Sequence, residues 1–132
     1  MQVPGLTLSV LQELLAVCRL NADDIVPGWA LVGTFCSLTR TADELSIVCP
    51  EVNVPHDVVC ERAWRGLKVA GPLDFSLTGI LSSLAVPLAA ANVSIFAVST
   101  FETDYLLVKQ GELHKAVSVL RGAGHTVRMP GV

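Results

Sequence analysis

The second half of the chain, Gly66 to Met129, changes hydrophobic period several times in quick succession, and the order of those periods restricts the fold more than any single motif. GLKVAG (Gly66–Gly71) alternates apolar and polar residues between glycines, as a short strand does. After the hydroxyl-rich PLDFSLTG, the run ILSSLAVPLAAAN has the composition and length of a helix. Thr78, Ser76 or Asp74 is suited to cap its start and Asn92 to end it. Pro87 is expected to kink it by removing one backbone bond. Val93–Val98 and Tyr105–Lys109 read as strands. Leu113, Ala116, Val117 and Leu120 then recur at helical spacing between Glu112 and Arg121. Gly122 and Gly124 supply the stop, and His125–Met129 can form a last strand. The order β-α-β-β-α-β is that of a ferredoxin-like α+β fold, an antiparallel sheet with two helices on one face.

The first half reads as a weaker echo of the second. Aligned without gaps, LTRTADELSIV (Leu38–Val48) matches VSTFETDYLLV (Val98–Val108), and each places a polar turn between apolar strands. Leu14–Leu20 supplies an opening strand, and Leu6–Val10 is an additional strand candidate. Asp23–Ala30 reads as a short helix disturbed by Pro27-Gly28, and Val54–Val59 as a second short helix. The expectation is two tandem βαββαβ modules, a degenerate one over residues 1–63 and an intact one over 64–132. The helix that begins at Ile80 is apolar or small almost all round, so more than its own sheet must cover it. Either the first half of the chain or a second subunit can do so, and a subunit contact, hence a homodimer, is the expectation.

Composition removes several functions. A chain of 132 residues suffices for one domain or two small modules sharing a core. A net charge of -3 argues against nucleic acid as a partner, since phosphate binding needs a concentrated basic surface. Arg62, Arg65 and Lys68 read instead as a solvated edge. No apolar run reaches the length of a membrane span, and the N-terminus lacks a signal peptide's basic region, so the expected location is cytoplasmic. Cys18, Cys36, Cys49 and Cys60 form no C-x-x-C pair and read as buried thiols. His56, His114 and His125 are scattered. No metal site, no cofactor and no enzyme activity are expected.

STFETD (Ser99–Asp104) joins two strands without the Gly, Asn or Pro that make hairpin turns easy. It offers two carboxylates, three hydroxyls and a phenyl ring instead. A helix start leaves amides without intrahelical partners at the positive end of its dipole. Ser76, Leu77, Thr78, Gly79 and Ile80 are therefore a candidate seat for an α-carboxylate, with Gly79 admitting close approach. Asp104 or Glu102 can face a ligand's ammonium or guanidinium. Phe101 offers a cation–π face worth about 0.5–2 kcal/mol. Thr100 and Thr103 add hydroxyls. Plainer roles compete: Ser76 or Thr78 as a helix cap, Asp104 bonding its own turn, Phe101 packed on the core, Glu102 solvated. Trp29 and Trp64 read as core or interface residues.

The segment FSLTGILSSLAVPLAAANVSIFAVSTFETDYLLVK resembles the ACT domain family, in particular its tandem small-molecule-sensing branch. The resemblance rests on L-T-G-I before a proline-containing helix, P-L-A-x-x-x-V-S-I-F after it, and S-T-F-x-T-D-Y-L-L-V. FCSLTRTADELSIVCPE is similar to the first-module signature of that branch, and the likeness spans Thr34 to His125. That branch includes bacterial proteins and animal cytosolic arginine sensors. The resemblance implies a regulatory module that binds an amino acid or other small ligand where two ACT domains meet. By correspondence it implies contacts from Ser76 and Gly79, and from Thr100, Phe101 and Asp104. In the arginine-sensing relatives that loop and turn come from different modules of a four-module chain. A module that keeps the fold and the dimer but no ligand is the alternative.

Overall fold

Leu6–Val10 and Leu14–Leu20, expected as separate strands, are one strand, β1 (Thr7–Leu20), in the computed structural model, which describes residues 5–73 and 78–131. The remaining strands are β2 (Ser37–Arg40), β3 (Leu45–Pro50), β4 (Cys60–Val69), β5 (Phe96–Ser99), β6 (Asp104–Lys109) and β7 (Thr126–Arg128). Two α-helices join them, α1 (Ile80–Ala90) and α2 (Leu113–Gly122). The chain divides into two units: Met1–Gln12 with Arg65–Val132, and Glu13–Trp64. Strands β1 and β4 run through both. The opening residues thus group with the second half, whereas the sequence reading set residues 1–63 apart.

In the unit that contains Arg65–Val132 the strands lie in the order β7, β1, β4, β6, β5. Strands β5 and β6 are antiparallel, and β7 runs parallel to β1, with Thr126 opposite Thr7. Alternation puts Leu8, Val10, Leu67, Val69, Leu106 and Val108 on one face, where Leu84 and Leu88 of α1 and Leu113, Ala116 and Leu120 of α2 meet them. Each leucine so buried stabilises the unit by about 1.5–3 kcal/mol. Helix α1 is not buried all round. It sinks Ile80, Leu84 and Leu88 and leaves Val86 65% exposed.

Pro87 lies inside α1, where its missing N–H leaves the carbonyl of Ser83 without a helical donor. The ring of His125 supplies one. His125 is buried, its Nδ1 accepts from the Leu6 amide at 3.0 Å, and its Nε2–H donates to Ser83 O at 3.1 Å. One neutral tautomer thus answers two backbone groups. Helix α1 ends as expected, with Asn92 left-handed at φ 61° and Val93 N donating to Leu88 O. Its start differs from expectation. Gly79 is the N-cap, at φ 78°, and among the described residues no side chain caps the first amides. Asp74, Ser76 and Leu77 lie outside the described residues.

In the Glu13–Trp64 unit the strand order is β2, β3, β1, β4. Its core joins Ala16, Cys18, Leu45, Ile47 and Cys49 to Ala30 and Val54. Neither expected helix forms. Asp23–Ala30 gives only a 3₁₀ turn at Gly28–Leu31, because Pro27 and Gly28 interrupt it and Asp24 closes a local turn on the Asn21 amide. Val54–Val59, broken by Pro55 and rich in β-branched valine, follows a 3₁₀ turn at Glu51–Asn53. Arg62 is half-buried rather than solvated, donating to the carbonyls of Glu51, Val54 and Pro55. Arg65 likewise binds Leu11 O through Nε and Nη2, while Lys68 is exposed. Ala63 is left-handed at φ 64°, and its amide is held at 2.6 Å by Glu51 Oε1.

The two hairpins share one geometry. Arg40 pairs with Leu45 and Ser99 with Asp104, each across a four-residue connection. Thr41 N donates to Glu44 O at 2.9 Å, and Thr100 N to Thr103 O at 2.8 Å. Thr41 therefore matches Thr100 and Leu38 matches Ala97. The gap-free alignment of Leu38 with Val98 is one residue out of register.

Candidate functional site

A cavity of about 310 Å³ opens between the start of α1 and the β5–β6 turn. Gly79, Ile80, Leu81 and Leu73 form one wall, and the whole of Ser99–Asp104 forms the other. Of the residues singled out from sequence, the structure brings together Gly79, Ile80, Thr100, Phe101, Glu102 and Asp104. Thr78 is described but does not line the cavity. Ser76 and Leu77 lie outside the described residues. Leu73, Leu81, Ser99 and Thr103 line it as well. Ser99 and Thr103 belong to the turn that drew attention. Leu73 and Leu81 carry no local signal, being leucines among leucines.

Local bonds fix the turn. Thr103, only 5% exposed, donates its hydroxyl to Val69 O at 2.6 Å. Thr100 Oγ1 accepts from Thr103 N at 3.3 Å and donates to Thr103 O at 3.1 Å. These two hydroxyls hold the turn rather than standing ready to orient a ligand. The carbonyl of Glu102 accepts from Leu73 N at 2.7 Å, tying the turn to the segment after β4. That approach is close: a Cβ on Gly71 would lie 2.9 Å from Glu102 O. Because Thr100 occupies the turn amide, Asp104 is not needed there. Asp104 is half-buried at the cavity wall, Glu102 is exposed, and Phe101 is 79% exposed at the mouth.

Chemically the cavity sets a carboxylate and an aromatic ring across from a helix start. The Ile80 to Ser82 amides precede the first helical bond, which runs from Ser83 N to Gly79 O at 2.9 Å. Such amides suit an anion, and Asp104 suits a cation. The thiols lie elsewhere, in the Glu13–Trp64 unit. The neighbouring Cys49 thiol and burial together push the Cys18 thiol up. Burial also raises Cys60, which is half-buried, and Cys36 is exposed. Among the described residues no group of three or more His, Cys, Asp or Glu side chains could hold a metal ion. No helix among them is long and apolar enough to cross a membrane.

The family model for the ACT domain matches residues 59–122, and a second model, of an N-terminal domain, matches residues 13–57. The human cytosolic arginine sensor for mTORC1 subunit 1 is 39% identical over 96 residues, which cover 67% of this chain and 29% of the sensor. The chain therefore spans under a third of that relative's length. A crystal structure of an Agrobacterium tumefaciens protein is 40% identical with a TM-score of 0.93, covering 98% of this chain and 97% of that one. Aspartate kinase from Synechocystis shares the fold at a TM-score of 0.67 and 16% identity, over 98% of this chain and 28% of the kinase. With the βαββαβ order of its Arg65–Val132 half and these matches together, the chain belongs to the ACT domain family.

Proposed function

We propose that this chain is an amino-acid-binding regulatory module whose ligand enters the cavity between α1 and the β5–β6 turn, and that it is not an enzyme. One observation carries the reading: Gly79 and Ile80 at the start of α1 and the Asp104 carboxylate line one cavity of about 310 Å³. An amino acid is itself a pair of opposite charges, its α-carboxylate matching the amides and a cationic end matching Asp104 or Glu102. A relative named as an arginine sensor supports a ligand with such an end. Gly79, left-handed at φ 78°, keeps a Cβ out of the approach to the amides.

Phe101, a lining residue, is 79% exposed, and a second ACT module is expected to complete the cavity across a homodimer. Leu81 and Val86, 37% and 65% exposed on α1, support a subunit contact. Light scattering at high micromolar concentration should return a dimer mass, and a monomer mass overturns that part. The Glu13–Trp64 unit is the first module of the pair, with the strand order of an ACT domain and its helices reduced to 3₁₀ turns. A cytoplasmic location goes with this reading.

The test is a thermal-shift screen of the twenty amino acids. A ligand that binds only the native state stabilises it by about 2.7 kcal/mol at roughly a hundredfold excess over Kd. A sensor affinity between about 1 mM and 1 μM puts that excess within reach for the tighter ligands. Asp104→Ala should abolish the shift and keep the fold. If no amino acid moves the melting temperature, the interaction-only module replaces this reading.

A further inference from the structure

Three adjacent strands of the Glu13–Trp64 unit each give one cysteine to the same core: Cys49 from β3, Cys18 from β1 and Cys60 from β4. Their strand positions decide which two can meet. Thr7 O accepts from Ala70 N at 2.8 Å and Val59 O from Arg19 N at 2.9 Å. Strands β1 and β4 are therefore antiparallel, and Arg19 stands directly opposite Val59 in a hydrogen-bonded pair. The next pair along is Cys18 with Cys60. Because pairs alternate along an antiparallel ladder, it is of the closer, non-hydrogen-bonded kind, with Cα atoms about 4.5 Å apart. A disulfide spans Cα separations of about 4.4–6.8 Å, so these two thiols can join without backbone movement. Cys49 is placed differently. It pairs with Ala16 while Cys18 pairs with Ile47, which sets Cys18 and Cys49 on a diagonal of about 7–8 Å.

We propose that Cys18 and Cys60 are a redox pair, which hydrogen peroxide closes to a disulfide and a small thiol reopens. Cys60 is half-buried and Cys18 buried, so the oxidant meets Cys60 first. The Cys60 sulfur takes one hydroxyl of the peroxide to become a sulfenic acid, and the other hydroxyl leaves with the thiol proton as water. The Cys18 sulfur then attacks the Cys60 sulfur. The S–O bond breaks, and its hydroxyl leaves with the Cys18 proton as a second water. Two thiols are oxidised and one peroxide is reduced. A thiol opposite Cys60 thus captures the sulfenic acid before a second peroxide can take it to the irreversible sulfinic acid. The Cys49 thiol and burial disfavour the Cys18 thiolate, and burial that of Cys60, whereas the Arg62 guanidinium favours both. The pair therefore reacts slowly near neutrality and faster as pH rises. It belongs to the unit without the cavity, so it stands or falls apart from the amino-acid reading.

The folded chain, with Cys36→Ser to prevent cross-linking between copies, is treated with hydrogen peroxide at mildly alkaline pH and then alkylated in denaturant. Digestion with trypsin and a glutamate-specific protease puts Cys18, Cys49 and Cys60 on separate peptides. One linked pair is expected, Cys18 with Cys60, two hydrogens lighter than the free peptides together. Cys49 should be alkylated, and dithiothreitol should release the link. Cys49→Ser should keep the link, while Cys18→Ser should lose it and leave Cys60 to oxidise to the sulfinic acid. A link of either residue to Cys49 overturns the proposal. So does Cys60 sulfinic acid beside an alkylated Cys18, or three alkylated cysteines after prolonged exposure. If Cys18→Ser does not fold, Cys18→Ala takes the same comparison.

Discussion

The two units share a hairpin turn and differ in what crosses between their strands. Around the cavity the crossovers are α1 and α2, whose backbone groups are answered within the helices. Inside α1 the carbonyl released by Pro87 takes its donor from outside the helix, from His125. In the Glu13–Trp64 unit the crossovers are loops with single 3₁₀ turns, too short to satisfy themselves. Guanidinium groups do the work there: Arg40 on Ala22 and Asp24, Arg62 on Glu51, Val54 and Pro55. A shortened crossover thus keeps its place in the fold by recruiting a side chain with several donors in fixed geometry. The difference also bears on function. A helix start leaves amides directed outward, whereas arginine-tied loops engage their polar groups with each other.

The largest expected effect tests the helical side of that contrast. His125→Phe keeps the ring's bulk but strands Leu6 N–H and Ser83 O, at about 1–3 kcal/mol for each buried group left unpaired. In a Pro87→Ala background Ser83 O regains a helical donor, so the same change should cost visibly less by urea denaturation. An unchanged cost means that the ring matters by packing alone. On the other side, Arg62→Met preserves the stem and removes the fork. It should cost at least about 1.5–3 kcal/mol, the worth of one charge-assisted hydrogen bond. A loss below about 0.5 kcal/mol would show that the 3₁₀ crossover stands without its arginine.

These side-chain ties explain which parts of the fold could be read from the chain. Strands with strict alternation and α2, whose Leu113, Ala116, Val117 and Leu120 all prove buried, were legible because period alone decides them. The short helices of the first half were not. Propensity over six or eight residues is weak, Pro27-Gly28 and Pro55 interrupt both runs, and Arg40 and Arg62, outside those runs, hold the loops that result. The reading of Arg62 and Arg65 as a solvated edge failed for the same reason, since carbonyl partners leave no local trace. At the site, STFETD was conspicuous by its surplus of polar groups. Leu73 and Leu81 were silent, and Thr103 was visible but points inward to Val69 O. The hairpin echo was detectable, yet its register was set by turn hydrogen bonds and not by identity.

That register gives the smallest and sharpest test. Thr41 Oγ1 accepts from Asp43 N at 3.1 Å and from Glu44 N at 3.2 Å. Thr100 Oγ1 accepts from Thr103 N at 3.3 Å and donates to Thr103 O. Removing either hydroxyl forfeits side-chain bonds to partly solvated backbone, so Thr41→Ala and Thr100→Ala should each cost about 0.5–1.5 kcal/mol, with Thr→Ser close to neutral. Equal costs would mark one inherited turn, and a cost confined to Thr100 would separate the two hairpins. Their consequences for binding should still diverge. Loosening Thr100 frees the wall that carries Phe101 and Asp104, so the amino-acid thermal shift should shrink. Loosening Thr41 touches a turn already tied by Arg19 and flanked by Arg40, and the shift should stay. A shift lost equally in both variants would mean that the turn contributes through stability alone and does not shape the cavity.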